Sequence, residues 1–402
     1  VSSHSQLQIF KDKKIWPSKK EESWKYFDFS RFESIVTKSD HSTYDYKIDF
    51  SPHISSEIIF KQTGIVISEN LKDRIKFTLA SKLSLLNKKS NLDFRLTSLN
   101  LSDKNCIVSI ENQNDLNLTL TYHADLNRNE SLNLAVMFDI KNSSVNLLEQ
   151  DQVSSAAYFS NHLQFKLENS SLEHISLFAH PSRSLESSAG QAKIFNSEIS
   201  VGEDSSYKNT ALILNNKFIR VQQSVSLESP GANGCLNAFN ISEDQNFSEL
   251  RTEVLHLQPK TQSRQLFKTI AADTSKSIFN GRIYVNSLAQ KTDAGQLCQG
   301  ILLHPKAEIN AKPELEIYAD DVKAAHGAAI GQMGQDQVFY LISRGIKPEV
   351  AYKMLSKAFA GEVLASITNL EFRKICQTTM DQSSEAIFEK LAEDITSSGQ
   401  KL

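Results

Sequence analysis

Leu116-Asn-Leu-Thr-Leu-Thr-Tyr122 sets apolar and polar side chains in strict alternation. Successive side chains of an extended chain point to opposite faces, so this is the pattern of a strand with one face in a core. The alternation returns in Ser131-Leu-Asn-Leu-Ala-Val136, Leu163-Gln-Phe-Lys-Leu167 and Phe218-Ile-Arg-Val-Gln-Gln-Ser-Val225. Asn, Ser, Asp and Gly break these segments at short intervals, and no long helical pattern separates them between about residues 106 and 330. A doubly wound α/β sheet requires such helices, which argues against it. Many short strands in series close as a sandwich, a barrel or a β-helix. With no strict hexapeptide or WD repeat, periodicity does not choose among the three.

The flanks differ in texture. The first 105 or so residues are rich in Lys, Ser and aromatics, with Trp16-Pro17 and Glu21-Glu-Ser-Trp-Lys-Tyr26 near the start. Ile75, Leu79, Leu83 and Leu86 recur at three- and four-residue spacings, which predicts an amphipathic helix over 71–86. From near Asp336, segments 337–344 and 349–367 have helical spacing, with Val350, Leu355, Ala358, Phe359 and Val363 on one stripe. Gly345 is a natural stop between them, Pro348 suits a first helical turn, and a third helix is expected over about 385–391. The expected division is a mixed, helical region over 1–105, a strand-built core over 106–333 and a helical region over 334–402.

The 402 residues are 40% hydrophobic and 23% charged, ordinary values for a soluble globular protein. A net charge of −3 lacks the basic footprint of a duplex-binding protein. Val1-Ser-Ser-His-Ser-Gln has no charged-then-apolar signal design, and no apolar run approaches the roughly 20 residues of a membrane span. Cys106, Cys235, Cys298 and Cys376 are far apart, with no Cys-x-x-Cys pair, so a self-contained zinc or iron–sulfur motif is not expected. Sparse cysteines fit a reducing cytoplasm. No phosphate-cradling glycine loop is present, so no nucleotide is expected in this chain.

From 279 to 364 the sequence becomes distinctive. It reads Phe279-Asn-Gly-Arg-Ile-Tyr-Val285, Ala289-Gln-Lys-Thr-Asp293, Lys312-Pro-Glu-Leu-Glu-Ile-Tyr-Ala-Asp-Asp-Val322, Ala325-His-Gly-Ala328, Phe339-Tyr-Leu-Ile-Ser-Arg-Gly-Ile346 and Ala358-Phe-Ala-Gly-Glu-Val363. These blocks, with Glu22-Ser-Trp-Lys-Tyr-Phe-Asp28 near the start, strongly resemble the SufB/SufD family of the Suf iron–sulfur cluster assembly machinery, most closely its SufD branch. The resemblance implies a mainly β fold: a right-handed parallel β-helix flanked by α-helical N- and C-terminal regions. It also implies a non-enzymatic scaffold that pairs with a SufB-like subunit through the β-helices. A SufC-like ATPase would dock on the C-terminal helices, and a transient iron–sulfur cluster would form at the subunit interface rather than on this chain alone. Isolated chains would self-pair as homodimers, with no nucleic-acid or membrane partner. The resemblance does not locate the flavin site attributed to the larger assembly.

Two residues are candidates for that chemistry. His326 occupies the Asp-Asp-Val-Lys-x-x-His-Gly position that the family associates with cluster formation. A neutral imidazole suits iron and shuttles protons, whereas a lone histidine is more often a hydrogen-bonded turn residue. Cys298 precedes Pro313 at the spacing of a functional cysteine in SufB-type relatives, where SufD-type relatives usually lack one. It lies about one β-helix coil from His326, so the two are expected on adjacent rungs of one face. Thiolate and imidazole make a plausible soft site, but most free cysteines are buried apolar side chains. Ala324 stands where many SufD-like chains have cysteine. Asp320 and Asp321 more often make a turn than a metal site or general base. Arg344, Gly345, Val350, Leu355, Phe359 and Val363 are the candidate partner surface, with packing onto the β-helix end as the plainer reading. The competing functions are a β-helix carbohydrate-active enzyme, for which no carboxylate constellation is evident, and a stand-alone homodimeric binding protein.

Overall fold

The computed structural model describes residues 17, 20–21, 24–36, 40–41, 47–52, 55–61, 64–80, 83, 86, 90–92, 105–124, 130–153, 158–179 and 191–397. Trp16 and the tail beyond 397 lie outside them. In chain order the strands are β1 (Asp40–His41), β2 (Lys47–Ser51), β3 (Glu57–Lys61), β4 (Gly64–Ser68), β5 (Ile75–Ala80), β6 (Asn105–Glu111) and β7 (Leu116–Ala124). There follow β8 (Glu130–Lys141), β9 (Ser144–Val153), β10 (Tyr158–Glu168), β11 (Ser171–Ala179), β12 (Ala192–Val201), β13 (Ser206–Leu214) and β14 (Phe218–Leu227). The last are β15 (Asn233–Ser242), β16 (Phe247–His256), β17 (Gln262–Ala271), β18 (Lys276–Val285), β19 (Asp293–Leu302), β20 (Glu308–Ile317) and β21 (Lys323–Gln332). Helix α1 (Phe29–Val36) precedes them; α2 (Gln335–Ser343), α3 (Pro348–Ala365) and α4 (Leu370–Ser397) follow.

Each coil contributes one strand to each of two sheets. Sheet one runs β5-β6-β8-β10-β12-β14-β16-β18-β20, with β1 beside β8; sheet two runs β2-β4-β3-β7-β9-β11-β13-β15-β17-β19-β21. Apart from β3–β4 and β5–β6, every pairing among the described strands is parallel: Phe218 faces Phe247, which in turn faces Lys276. The fold is therefore a parallel β-solenoid of about seven turns, mainly β, with helices at the termini. Left-handed residues turn its corners: Asn142, Asn169, Asp204, Gly231, Lys260 and Lys291 on one side, Asn215, Asp244 and Asp273 on the other. Asn, Asp and Gly tolerate that conformation best, which explains the punctuation of the alternating segments. Ser143 and Ser170 hydroxyls also accept the backbone N–H of Gln113 and Ser143 in the coil alongside.

Three large apolar layers and a smaller one, Ile283, Val285, Ala289, Ala294 and Ala319 near the last coils, hold the described stack. Val108, Leu118, Phe138, Phe165, Ile199 and Val221 belong to the layer enclosed between the sheets. The outer face of sheet two, including Leu148, Ile175, Leu212, Phe239 and Ile270, is covered by Tyr352, Val363 and Leu364 of α3 and Phe372, Cys376 and Met380 of α4. The outer face of sheet one meets Trp24, Phe27 and Phe32 at Tyr158, Phe218 and Phe247. Under this lid Arg220 is fully buried, with its guanidinium 3.8 Å from the Trp24 ring centre and 2.7 Å from Glu249.

Several expectations change. The helix expected over 71–86 is instead a short turn and then β5, because Ile75, Phe77 and Leu79 also alternate and β6 supplies an antiparallel ladder. The described N-terminal residues hold one eight-residue helix, and β1–β5 join the solenoid's own sheets. The third C-terminal helix is far longer than expected, at 28 residues. Its buried Phe372, Cys376, Met380, Ile387 and Phe388 form an interrupted apolar stripe within an otherwise polar sequence.

Candidate functional site

Both sheets stop at the same end of the solenoid, sheet one at β20 and sheet two at β21. The C-terminal helices do not cover this end. They fold back onto the outer face of sheet two, which corrects the expectation that they cap the stack. In consequence β21 is largely exposed, and β20 is only half-buried.

The edge polarity follows from the hydrogen bonds. Lys323 donates its N–H to the Thr292 carbonyl. Backbone groups alternate sides along a strand, so the N–H groups of Ala324, His326, Ala328 and Ile330 face away from β19. In β20, Glu308 donates to Ser275, so the odd positions face the free side. Pro313 is one of these. Its missing N–H costs no ladder bond and blunts that edge. β21 has no proline, and its sequence, Lys323-Ala-Ala-His-Gly-Ala-Ala-Ile-Gly-Gln332, offers little side-chain bulk against an approaching backbone.

His326 lies on this end strand and is exposed. It pairs in register with Gln296, and Cys298 pairs with Ala328. His326 and Cys298 thus occupy adjacent strands and share the interior-facing set of side chains. Their environments differ sharply. Cys298 is 1% exposed and belongs to the apolar layer, and burial pushes its thiol up to about 12. Loss of its proton is disfavoured while the coil stays closed, because an apolar surrounding penalises the thiolate. Cys106 and Cys376 are likewise pushed up to about 12 by burial. Cys235 is half-buried and raised mainly for the same reason. Ellman's reagent is therefore expected to titrate Cys235 first in the native chain, with Cys106, Cys298 and Cys376 reacting only on denaturation. Fast native labelling of Cys298 would contradict this placement.

Among the described residues, no group of three or more His, Cys, Asp or Glu side chains is arranged to hold a metal ion. Asp320 and Asp321 sit in the exposed corner before β21, where Asp321 lies 3.5 Å from Lys291. Ala324 begins the interior-facing row of β21.

The helical surface is also rearranged. Val363 is fully buried against sheet two, with Leu355 and Phe359 partly buried beside it. Arg344 is exposed, and Gly345 (φ +81°) closes α2: its N–H reaches Ile342 and that of Ile346 reaches Leu341. Val350 remains 43% exposed, next in kind to Phe339, Tyr340 and Met354, which are 58%, 57% and 46% exposed. The sequence reading missed these three, although two adjacent aromatics opening Phe339-Tyr-Leu-Ile were a signal in plain view. Arg344 lies over the Tyr340 ring at 5.2 Å.

The sequence matches the family model described as SUF system FeS cluster assembly, SufBD core domain, over residues 140–359, more than half of the chain. It is 35% identical over 170 residues to the iron–sulfur cluster assembly protein SufD of Escherichia coli, covering 42% of this chain and 40% of that one. It is 42% identical over 139 residues to the chloroplastic protein ABCI7 of Arabidopsis thaliana, covering 34% and 29%. To an iron–sulfur cluster assembly SufBD family protein of Synechocystis it is 32% identical over 219 residues, covering 54% and 47%. The matched part spans less than half the length of each of these relatives.

Proposed function

The chain belongs to the SufBD family of SUF-system iron–sulfur cluster assembly proteins, on its SufD branch, and from this premise we propose that it is a non-enzymatic scaffold subunit whose open solenoid end receives a SufB-like partner. The observation that carries the reading is the end itself. Among the described residues, the exposed β21 presents a row of backbone groups with no strand beyond it, flanked by small side chains, while the outer faces of both sheets carry packed apolar clusters. A row of that kind is a template for strand addition. A second copy of this chain offers the same edge, so two copies would pair through it when the SufB-like subunit is missing.

In this reading the nascent cluster is cargo at the seam, and His326 is this chain's contribution to it. Imidazole nitrogen is a fitting donor for iron. The chain holds no dedicated ligand set among its described residues, so the partner supplies the remaining donors. Cys298 would take part only through an opening of the last coils. The SufC-like ATPase docks on the exposed apolar group of α2 and α3, and its movement reaches the seam through the layer that ties those helices to sheet two. No helix among the described residues is long and apolar enough to cross a membrane. A cytoplasmic setting suits the reading.

The test is co-expression of the full chain with SufB-like and SufC-like proteins, followed by purification and anaerobic cluster build-up. A ternary complex whose cluster yield falls severalfold in His326→Ala is expected; persistent homodimers with no complex would sink the reading. Phe339→Asp is expected to release the ATPase while leaving the SufB-like partner bound, because it adds charge to an exposed aromatic rather than to a buried one. Retention of both partners by this variant would place the ATPase elsewhere. Removing everything after Gly345 is a poorer test, since it would bare the apolar face under α3 and α4.

A further inference from the structure

We infer that Gln296 is a positioning residue for His326. This inference rests on the seam reading for its purpose, though not for its geometry. Inside the last coils a short ladder runs along the solenoid axis. Thr252 Oγ1 donates to Gln265 Oε1 at 3.2 Å, and Gln296 Nε2 donates to the same oxygen at 3.1 Å. Gln265, Gln296 and His326 occupy the same position on β17, β19 and β21, one rung after another. The Gln296 amide spends one N–H on the rung behind, and its carbonyl oxygen makes no bond there. Among the described residues that oxygen is buried without a hydrogen-bond partner, as is Nε2 of Gln265. Gln296 is only 4% exposed, so water does not freely replace the missing donor.

A buried acceptor without a donor is uncommon and costly. His326 is in register on the next rung and exposed, and on turning inward its ring would offer the missing N–H. One ring N–H donating to Gln296 Oε1 fixes the tautomer and presents the other nitrogen's lone pair to the seam. Metal-binding histidines are commonly oriented in this way through their second nitrogen. Gly281 makes the arrangement possible: a Cβ there would stand 2.3 Å from Gln296 Nε2 and 2.4 Å from the Phe279 ring. The glycine of Phe279-Asn-Gly-Arg and the histidine of Ala325-His-Gly are thereby linked through one amide.

The test is 15N NMR of the full chain labelled at histidine, with His326→Ala assigning the signal. A single dominant His326 tautomer is expected in the native chain. Gln296→Leu should give a tautomer mixture, and Gln296→Glu, which retains an acceptor, should restore one form. Gly281→Ala should mimic Gln296→Leu by displacing the amide without deleting it. In the co-purified complex Gln296→Leu should bind both partners normally yet build cluster severalfold more slowly. Unchanged His326 shifts in Gln296→Leu and Gly281→Ala would overturn the inference. A native chain that forms no complex would overturn the seam reading instead, and the tautomer measurement would still decide the role of Gln296.

Discussion

The double substitution Ala324→Pro/Ala328→Pro is expected to weaken capture of the SufB-like partner by at least about thirtyfold while the solenoid stays folded. Both positions direct their N–H to the free side of β21, so the ladder to β19 loses nothing. A partner strand would meet two missing donors. Each leaves a buried carbonyl unsatisfied at about 1–3 kcal/mol, and about 1.4 kcal/mol is a factor of ten. Ala325→Pro is the matched control. Its N–H belongs to the inner ladder, so it should lower thermal stability as well as binding. Binding assays on the purified chains, with melting curves alongside, separate the two effects. Undiminished affinity in the double variant would mean that β21 is not the pairing edge.

Removal of the Arg220 side chain is expected to be the most damaging single truncation on the sheet-one side. Arg220 and Glu249 are both fully enclosed at 2.7 Å, and Arg220 also donates to Gln222 at 2.9 Å. Arg220→Ala leaves the Glu249 carboxylate with Arg251, at 3.3 Å, as its remaining basic partner. Breaking one side of a buried pair costs about 3–5 kcal/mol, and the Trp24 ring loses its cation as well. Urea unfolding should show this loss directly. Replacing both partners by Arg220→Met/Glu249→Leu should recover much of it, since the cost lies in the stranded charge. A change under about 1 kcal/mol in Arg220→Ala would show that solvent reaches Glu249, contrary to its enclosure.

Alternation made the strands legible because one face of each lies in the interior layer. The solenoid was not legible from alternation, since sandwich, barrel and β-helix share that local pattern. Resemblance at 279–364 selected among them. The error at 71–86 has a specific cause: Ile75 and Leu79 satisfy a four-residue spacing and a two-residue spacing together, and only the ladder with β6 decides. On α3 the stripe Val350, Leu355, Ala358, Phe359 and Val363 was right only in part: Val363 is fully buried and Leu355 and Phe359 partly so, whereas Val350 and Ala358 are exposed. The fully buried positions are Ala351, Ala360 and Val363, small or slender residues that permit close approach to the sheet. His326 was legible only through its motif. Gln296 gave no signal at all, because its role depends on register between strands about 30 residues apart.

The blunting of β20 and the openness of β21 carry a consequence for supply. Two identical β21 ends that met face to face would satisfy each other, so growth from this end would halt at two copies. In the proposed assembly, surplus subunits would then wait as closed pairs joined at this end, and production of the two partners would not need to be matched molecule for molecule.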